Sequence, residues 1–292
     1  MNYEEFRENL LEQLEKRLKI KVLITQLEKN NQVMKEVITF QEAGINLMPA
    51  IHLGELYECC KELDLDECVN FVLEVLKTKR YVEREEILCD WEEAKNRIQL
   101  QVINRKWNEE RLKKLPHQEY LNFAIIARLH IYKEEDGEGS AVVTFEMLDD
   151  WKISETELFH AGFYNLKETE FIIEDLEEVV LRAFGFSSEE NENERISGIQ
   201  YVMYNKIKIN GANGLLRADL LEKFASEQEC DVWILPCSIH ELILVPDRGE
   251  LELQMLRDMV KDINDTEVAQ EERLADDVYK FYRESKTVEL VE

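Results

Sequence analysis

Apolar residues recur at Tyr3, Phe6, Leu10, Leu14 and Leu18. That spacing predicts an amphipathic helix over 3–18. Asn2, with Glu5 three positions on, predicts its capped start. The period then changes. "IKVLITQ" (20–26) and "KEVITFQ" (35–41) read as strands joined by the polar turn "EKNNQ". "NLMPAIHL" (46–53) reads as a third strand, and Pro49, which has no N–H to give to a ladder, predicts an edge position for it. Two helices follow, "GELYECCKEL" and "DECVNFVLEVLKTK", the second with Val69, Val72, Val75 and Leu76 on one face. The opening is an α-β-β-β-α-α unit.

The middle of the chain alternates less regularly. "DWEEAKNRIQLQVIN" (90–104) begins helical and ends extended. "YLNFAIIARLHIY" and "SAVVTFEML" flank the glycine-bearing "KEEDGEG", which predicts a hairpin. Ser154 and Glu157 form a second capping-box pattern. Residues 170–184 predict a helix with Ile172, Ile173, Leu176, Val179, Val180 and Ala183 inward and Glu170, Glu174, Asp175, Glu177 and Glu178 in solvent. "FSSEENENERIS" (186–197) has no apolar pattern before Ile196 and reads as a linker. After it come strand, helix, strand, strand, helix and strand, the element order of the split βαβ sandwich. The fold class is therefore α+β, with antiparallel sheets, packed helices and a C-terminal β-α-β-β-α-β unit. The expected division is an N-terminal α+β region over 1–185 and a C-terminal region over 198–292, or one integrated domain.

The chain has 292 residues, enough for a substantial core. No apolar run approaches the roughly 18 residues of a membrane-spanning helix. The N-terminus is acidic and amphipathic, unlike a secretory signal, so a cytoplasmic location is expected. The net charge of −27 is uneven: residues 1–120 carry −5 and the remaining 172 carry −22. A field of that sign repels phosphate, which argues against direct binding to nucleic acid or to an anionic membrane. It suits a basic protein partner or imitation of DNA, although acidic surfaces mostly serve solubility.

Six cysteines, Cys59, Cys60, Cys68, Cys89, Cys230 and Cys237, are read as free thiols, because a disulfide framework is not expected in a long chain kept in a reducing compartment. Cys230, Cys237 and His240 could begin a zinc site, but no fourth ligand is evident, and no metal or other cofactor is expected. His52, His117, His130 and His160 are scattered without metal-ligand spacing.

Two stretches could carry chemistry. "LPCSIHELILVP" (235–246) sets Cys237, Ser238, His240 and Glu241 close together. They could supply a nucleophile, a base and an orienting acid, but the glycine-flanked elbow of a serine hydrolase is missing and Cys237 has no basic neighbour to activate it. The favoured reading is a turn between two strands. "NKIKINGANGLL" (205–216) carries Asn205, Asn210, Gly211, Asn213 and Gly214 before a helix. Such a loop can cradle an anion, but the G-K-[ST] ending of a phosphate loop is absent, and a turn with a helix cap is the simpler account.

"MNYEEF", "NKIKINGA", "DVWILPCSIHELILVP" and "MVKDINDTEVAQEERLADDVYKFYR" resemble a bacterial family of unknown function, the one numbered 5688, over nearly the whole chain. The resemblance implies a bacterial cytoplasmic protein, transfers no reaction and no catalytic residues, and singles out Asn205, Asn210, Ser238, His240 and Glu241 as candidate binding positions. The leading expectation is a non-catalytic interaction module with an acidic surface. The alternatives are a hydrolase or transferase using the 237–241 turn with the 205–214 loop, and a DNA mimic.

Overall fold

Asn2 opens the first helix as its sequence predicts. Its side chain accepts the Glu5 N–H at 2.9 Å, and the Glu5 carboxylate accepts the Asn2 N–H at 3.2 Å. In a computed structural model, which describes residues 1–41, 51–61, 64–77, 90–134, 137–183 and 199–292, this helix is α1 (Tyr3–Leu18). Phe6, Leu10 and Leu14, four residues apart, form its buried face. β1 (Lys21–Glu28) and β2 (Met34–Gln41) pair as an antiparallel hairpin from Lys21↔Gln41 to Glu28↔Met34. β3 (Ile51–His52) adds beside β2; the stretch around Pro49 lies outside the described residues. α2 (Leu53–Cys59) and α3 (Leu65–Lys77) complete a core in which Val22 and Ile38 meet Leu53, Val69 and Val72. With α4 (Trp91–Ala94) these elements make a first compact unit, Met1–Ala94. The expectation of free thiols fails here: Cys60 and Cys68 are joined as a disulfide, because the end of α2 and the first turn of α3 bring their Cα atoms to 6.3 Å, within bridging range.

The second compact unit is Lys95–Glu292. It holds two sheets. In the first, β4 (Ile98–Asn104), β5 (His117–Tyr120), β6 (Phe123–Glu134) and β7 (Gly137–Val142) are antiparallel, with α5 (Glu109–Leu112) between β4 and β5 in the chain. β4 lies at one edge beside β6, and β5 and β7 share the other side of β6. α6 (Phe145–Trp151) and α7 (Glu155–Glu168) follow, the latter opened by the predicted Ser154–Glu157 capping box.

The expected helix over 170–184 is corrected. Residues 171–175 form β8 (Phe171–Asp175), which pairs β9 (Tyr201–Asn205) from Phe171↔Asn205 to Asp175↔Tyr201. Only then does α8 (Leu176–Ala183) begin, with the Asp175 carboxylate accepting the Glu177 N–H at 2.9 Å. A helical apolar period loses here to ladder pairing and to the packing of Phe171 and Ile173 on the core.

β8 and β9 belong to the six-stranded sheet completed by β10 (Val232–Leu235), β11 (Glu241–Pro246), β12 (Tyr279–Tyr282) and β13 (Thr287–Leu290), in the order β13-β12-β10-β11-β9-β8. α9 (Ala218–Gln228) joins β9 to β10, and α10 (Leu253–Thr266) leads from β11 towards β12. All neighbours are antiparallel, so each helix links two parallel strands separated by one antiparallel strand.

The predicted element order is present, but the helices take opposite faces. Val232, Ile234, Leu242 and Leu244 pack with Leu221 and Phe224 of α9, while Leu235 and Val245 pack with Leu256 and Val260 of α10. Both crossovers step the same way across the sheet from oppositely directed strands. Right-handed crossovers then place one helix on each side. The strands are accordingly apolar on both faces, as "VWIL" and "ELILVP" read. The linker expected at 186–197 lies outside the described residues, and the compact units divide between Ala94 and Lys95.

Candidate functional site

Residues 236–240 leave β10 and run between two other segments. Pro236 and Cys237 carbonyls accept the N–H groups of Ala275 and Leu274, each at 3.0 Å, and Ile239 N–H donates to Glu272 O at 2.8 Å. On the other side Ile239 O accepts the Ala212 N–H at 3.2 Å. The turn is therefore a short extended strip clamped by 272–275 and by the asparagine loop. Its residues are buried up to Ile239, which suits so apolar a stretch.

The structure joins three of the five candidate residues by hydrogen bonds. Ser238 Oγ accepts the His240 N–H at 3.0 Å, the local side-chain bond expected of a serine in a turn. His240 Nδ1 accepts the Asn210 N–H at 3.2 Å, which puts the ring hydrogen on Nε2, 3.6 Å from a Glu272 carboxylate oxygen. Asn210 adopts the left-handed region, φ 54°, and so aims its N–H at that ring. Gly211 follows because nothing larger fits: a Cβ there would lie 2.2 Å from the His240 carbonyl oxygen. Asn205 spends both ends of its carboxamide on one residue, accepting the Ile209 N–H at 3.2 Å and donating to its carbonyl at 2.6 Å. Glu241 stands apart. It begins β11 opposite Tyr204, and its charge is felt at Cys237.

Three features bear on the chemistry available. Both ring nitrogens of His240 are directed elsewhere than Ser238 Oγ, so the serine lacks the base contact that activates a nucleophile. Burial, helped by Glu241 and Asp276, pushes the Cys237 thiol up to about 12, far from a reactive thiolate. The loop's own donors are used internally: Ala212 N–H by Ile239 and Asn213 N–H by the Asn210 carbonyl, with Gly211–Leu215 buried. Those two N–H groups are not offered to an anion, in keeping with the simpler account of the loop as a turn. Among the described residues no three His, Cys, Asp or Glu side chains converge as metal ligands, and no helix is long and apolar enough to cross a membrane.

Reasoning from sequence passed over the role of Asn213, which bonds a distant strand. Asn213 Oδ1 accepts the Val102 N–H at 3.1 Å, and its Nδ2 donates to the Leu100 carbonyl. One carboxamide thus presents to the edge of β4 the donor and acceptor that another strand would offer. Asn165 does something similar nearby, donating to the carbonyls of Lys95 and Ile98, both at 2.8 Å. Between them lies a small groove walled by Ile98, Leu100, Ile207 and Ile209, with Asn165 and Asn213 among its polar groups and no charged side chain. Asn104 and Asn264 also serve backbone, donating to Leu274 O at 3.1 Å and Ala275 O at 2.9 Å. The sequence presents Asn213 only as one of several asparagines in a glycine-bearing loop, which reads equally well as solvent-exposed turn chemistry.

Fold and site define an α+β protein of antiparallel sheets in which the asparagine loop and the 236–240 strip form one buried junction. The chain belongs to the family of unknown function DUF5688, whose model matches residues 3–283. Comparison with curated proteins and with solved structures gave no match.

Proposed function

We propose that the chain is a non-catalytic protein-interaction module of the bacterial cytoplasm whose acidic surface meets a basic partner. The observation that carries this reading is the use of Asn205, Ser238 and His240 as hydrogen-bond partners of neighbouring backbone. A hydrolase or transferase would keep such groups open to substrate. The charge of −27 supplies the second half of the argument, since complementary fields speed encounter with a partner of opposite sign. A partner that itself binds nucleic acid would make the chain a mimic of the phosphate backbone.

The test uses the partner cross-linked to the chain in its native host. Glu177 and Glu178 are exposed on α8, and Glu177→Lys with Glu178→Lys reverses their charge. Association is expected to slow several-fold at low salt, with the difference fading as the Debye length falls from about 30 Å at 0.01 M to about 8 Å at physiological ionic strength. An on-rate indifferent to both salt and reversal removes the acidic-surface reading. Turnover of an ester, phosphoester or amide that disappears in Ser238→Ala and His240→Ala at unchanged melting temperature removes the non-catalytic one.

A further inference from the structure

We propose that Cys60 and Cys68 form a reversible redox latch between α2 and α3, opened and closed through Cys60 by low-molecular-weight thiols. The two sulfurs differ in access. Cys68 is fully buried beside Val69 and Val72, whereas Cys60 is half-buried at the end of α2. Cys59, next to it, is a free and exposed thiol. Which sulfur an incoming thiolate attacks is decided here by access.

A thiolate RS⁻ attacks Cys60 Sγ, the Cys60–Cys68 bond breaks, and its electron pair leaves on the Cys68 sulfur, which takes up a proton. A second RS⁻ attacks the RS sulfur of the mixed disulfide. It releases RS–SR and leaves Cys60 as a thiolate that is then protonated. Two thiols are oxidised and one protein disulfide is reduced. In reverse, Cys60 attacks RS–SR and Cys68 displaces RS⁻ from Cys60.

The surroundings make the reduced state viable. A Cys68 thiol is a small apolar group and keeps its place in the core. α3 stays tethered to α1, because Arg17 donates to Asp66 at 2.6 Å and to Asn70 at 2.9 Å. Reduction therefore unlinks the end of α2 from the first turn of α3 without releasing α3. Cys59 would take up the same thiol without altering this connection.

The experiment uses the full chain carrying Cys59→Ser, equilibrated with reduced and oxidised glutathione in varied ratio, then differentially alkylated and mapped by mass spectrometry. Cys60 and Cys68 are expected to change state together as a two-electron couple. Cys68→Ala should hold glutathione on Cys60, and Cys60→Ser should leave Cys68 unmodified. Closing a loop of sequence separation 8 predicts that reduction raises opening at the end of α2 and the first turn of α3 on the order of fiftyfold, read by hydrogen exchange, with α1 unchanged. Glutathione on Cys68, or both thiols fully alkylated after equilibration with oxidised glutathione, overturns the pairing. Unchanged exchange at the end of α2 and the first turn of α3 on reduction overturns the latch, as does exchange there in Cys60→Ser equal to that of the oxidised parent, even where Cys68→Ala does not fold.

Discussion

Replacing Asn213 by alanine removes the carboxamide that stands in for a strand on β4. Two backbone groups lose their partner, the Val102 N–H and the Leu100 carbonyl, on residues each 1% exposed. A buried group left unsatisfied costs about 1–3 kcal/mol, so the pair should cost roughly 2–6 kcal/mol. Water entering the vacated space would bring the loss towards the lower figure. Set against a typical stability of about 5–15 kcal/mol, that is a large fraction of the whole.

Asn213→Asp sharpens the test. At neutral pH one carboxylate oxygen can still accept from Val102, but the other faces the Leu100 carbonyl, so the loss should exceed that of alanine. Burial raises the folded pKa of that aspartate above its unfolded value of about 3.9. The protonated acid, able to donate to Leu100, is then favoured below that value, and its contribution disappears as pH rises through the folded pKa. The deficit of Asn213→Asp should therefore shrink as pH falls towards about 4. The assay is urea unfolding at several pH values, read as a shift in midpoint at constant slope. A loss under about 0.5 kcal/mol for Asn213→Ala, the size of an ordinary surface change, would refute the reasoning. So would an Asn213→Asp variant no worse than alanine at pH 7.

Ser238→Ala removes the acceptor of the His240 N–H and should cost about 1 kcal/mol, with His240→Ala larger because Asn210 N–H also loses its acceptor; melting curves check both. Gly211→Ala must displace the His240 carbonyl from 2.2 Å and should cost at least 1–3 kcal/mol, roughly the penalty of overpacking, measured by chemical denaturation. The Tyr204 hydroxyl, aided by Arg182 and opposed by burial, holds the Glu174 carboxyl below its ordinary 4.5. That lowered value contributes stability above 4.5 that is lost as pH falls through the folded value, so Tyr204→Phe should lose less stability than the parent on acidification below 4.5.

The elements legible in the sequence were those whose signals are local. The capping boxes at Asn2 and Ser154 depend on residues three apart, and both are present. The strand run of the C-terminal unit could be read because turn residues punctuate it. Over 171–175 local evidence pointed the wrong way: "FIIEDLEEVV" has a helical period, and only the presence of β9 makes its first five residues a strand. Asn205, Asn210, Ser238, His240 and Glu241 were singled out together, and the two stretches that contain them are in contact, through Ala212 N–H to Ile239 O and Asn210 N–H to His240, although Glu241 itself stands apart. What could not be seen was the use of those contacts. An asparagine that will bond backbone more than a hundred residues away looks, in sequence, like one that merely makes a turn.

That distance has a consequence for synthesis. Asn213 follows Val102 by 111 residues, so β4 to β7 leave the ribosome well before the carboxamide that closes the edge of β4. At about 5–20 residues per second, the wait is roughly 5–20 s. During it the nascent sheet presents an open edge, of the kind that pairs with other chains. Slower translation between the two positions should raise the yield of aggregate without altering the stability of whatever reaches the native state.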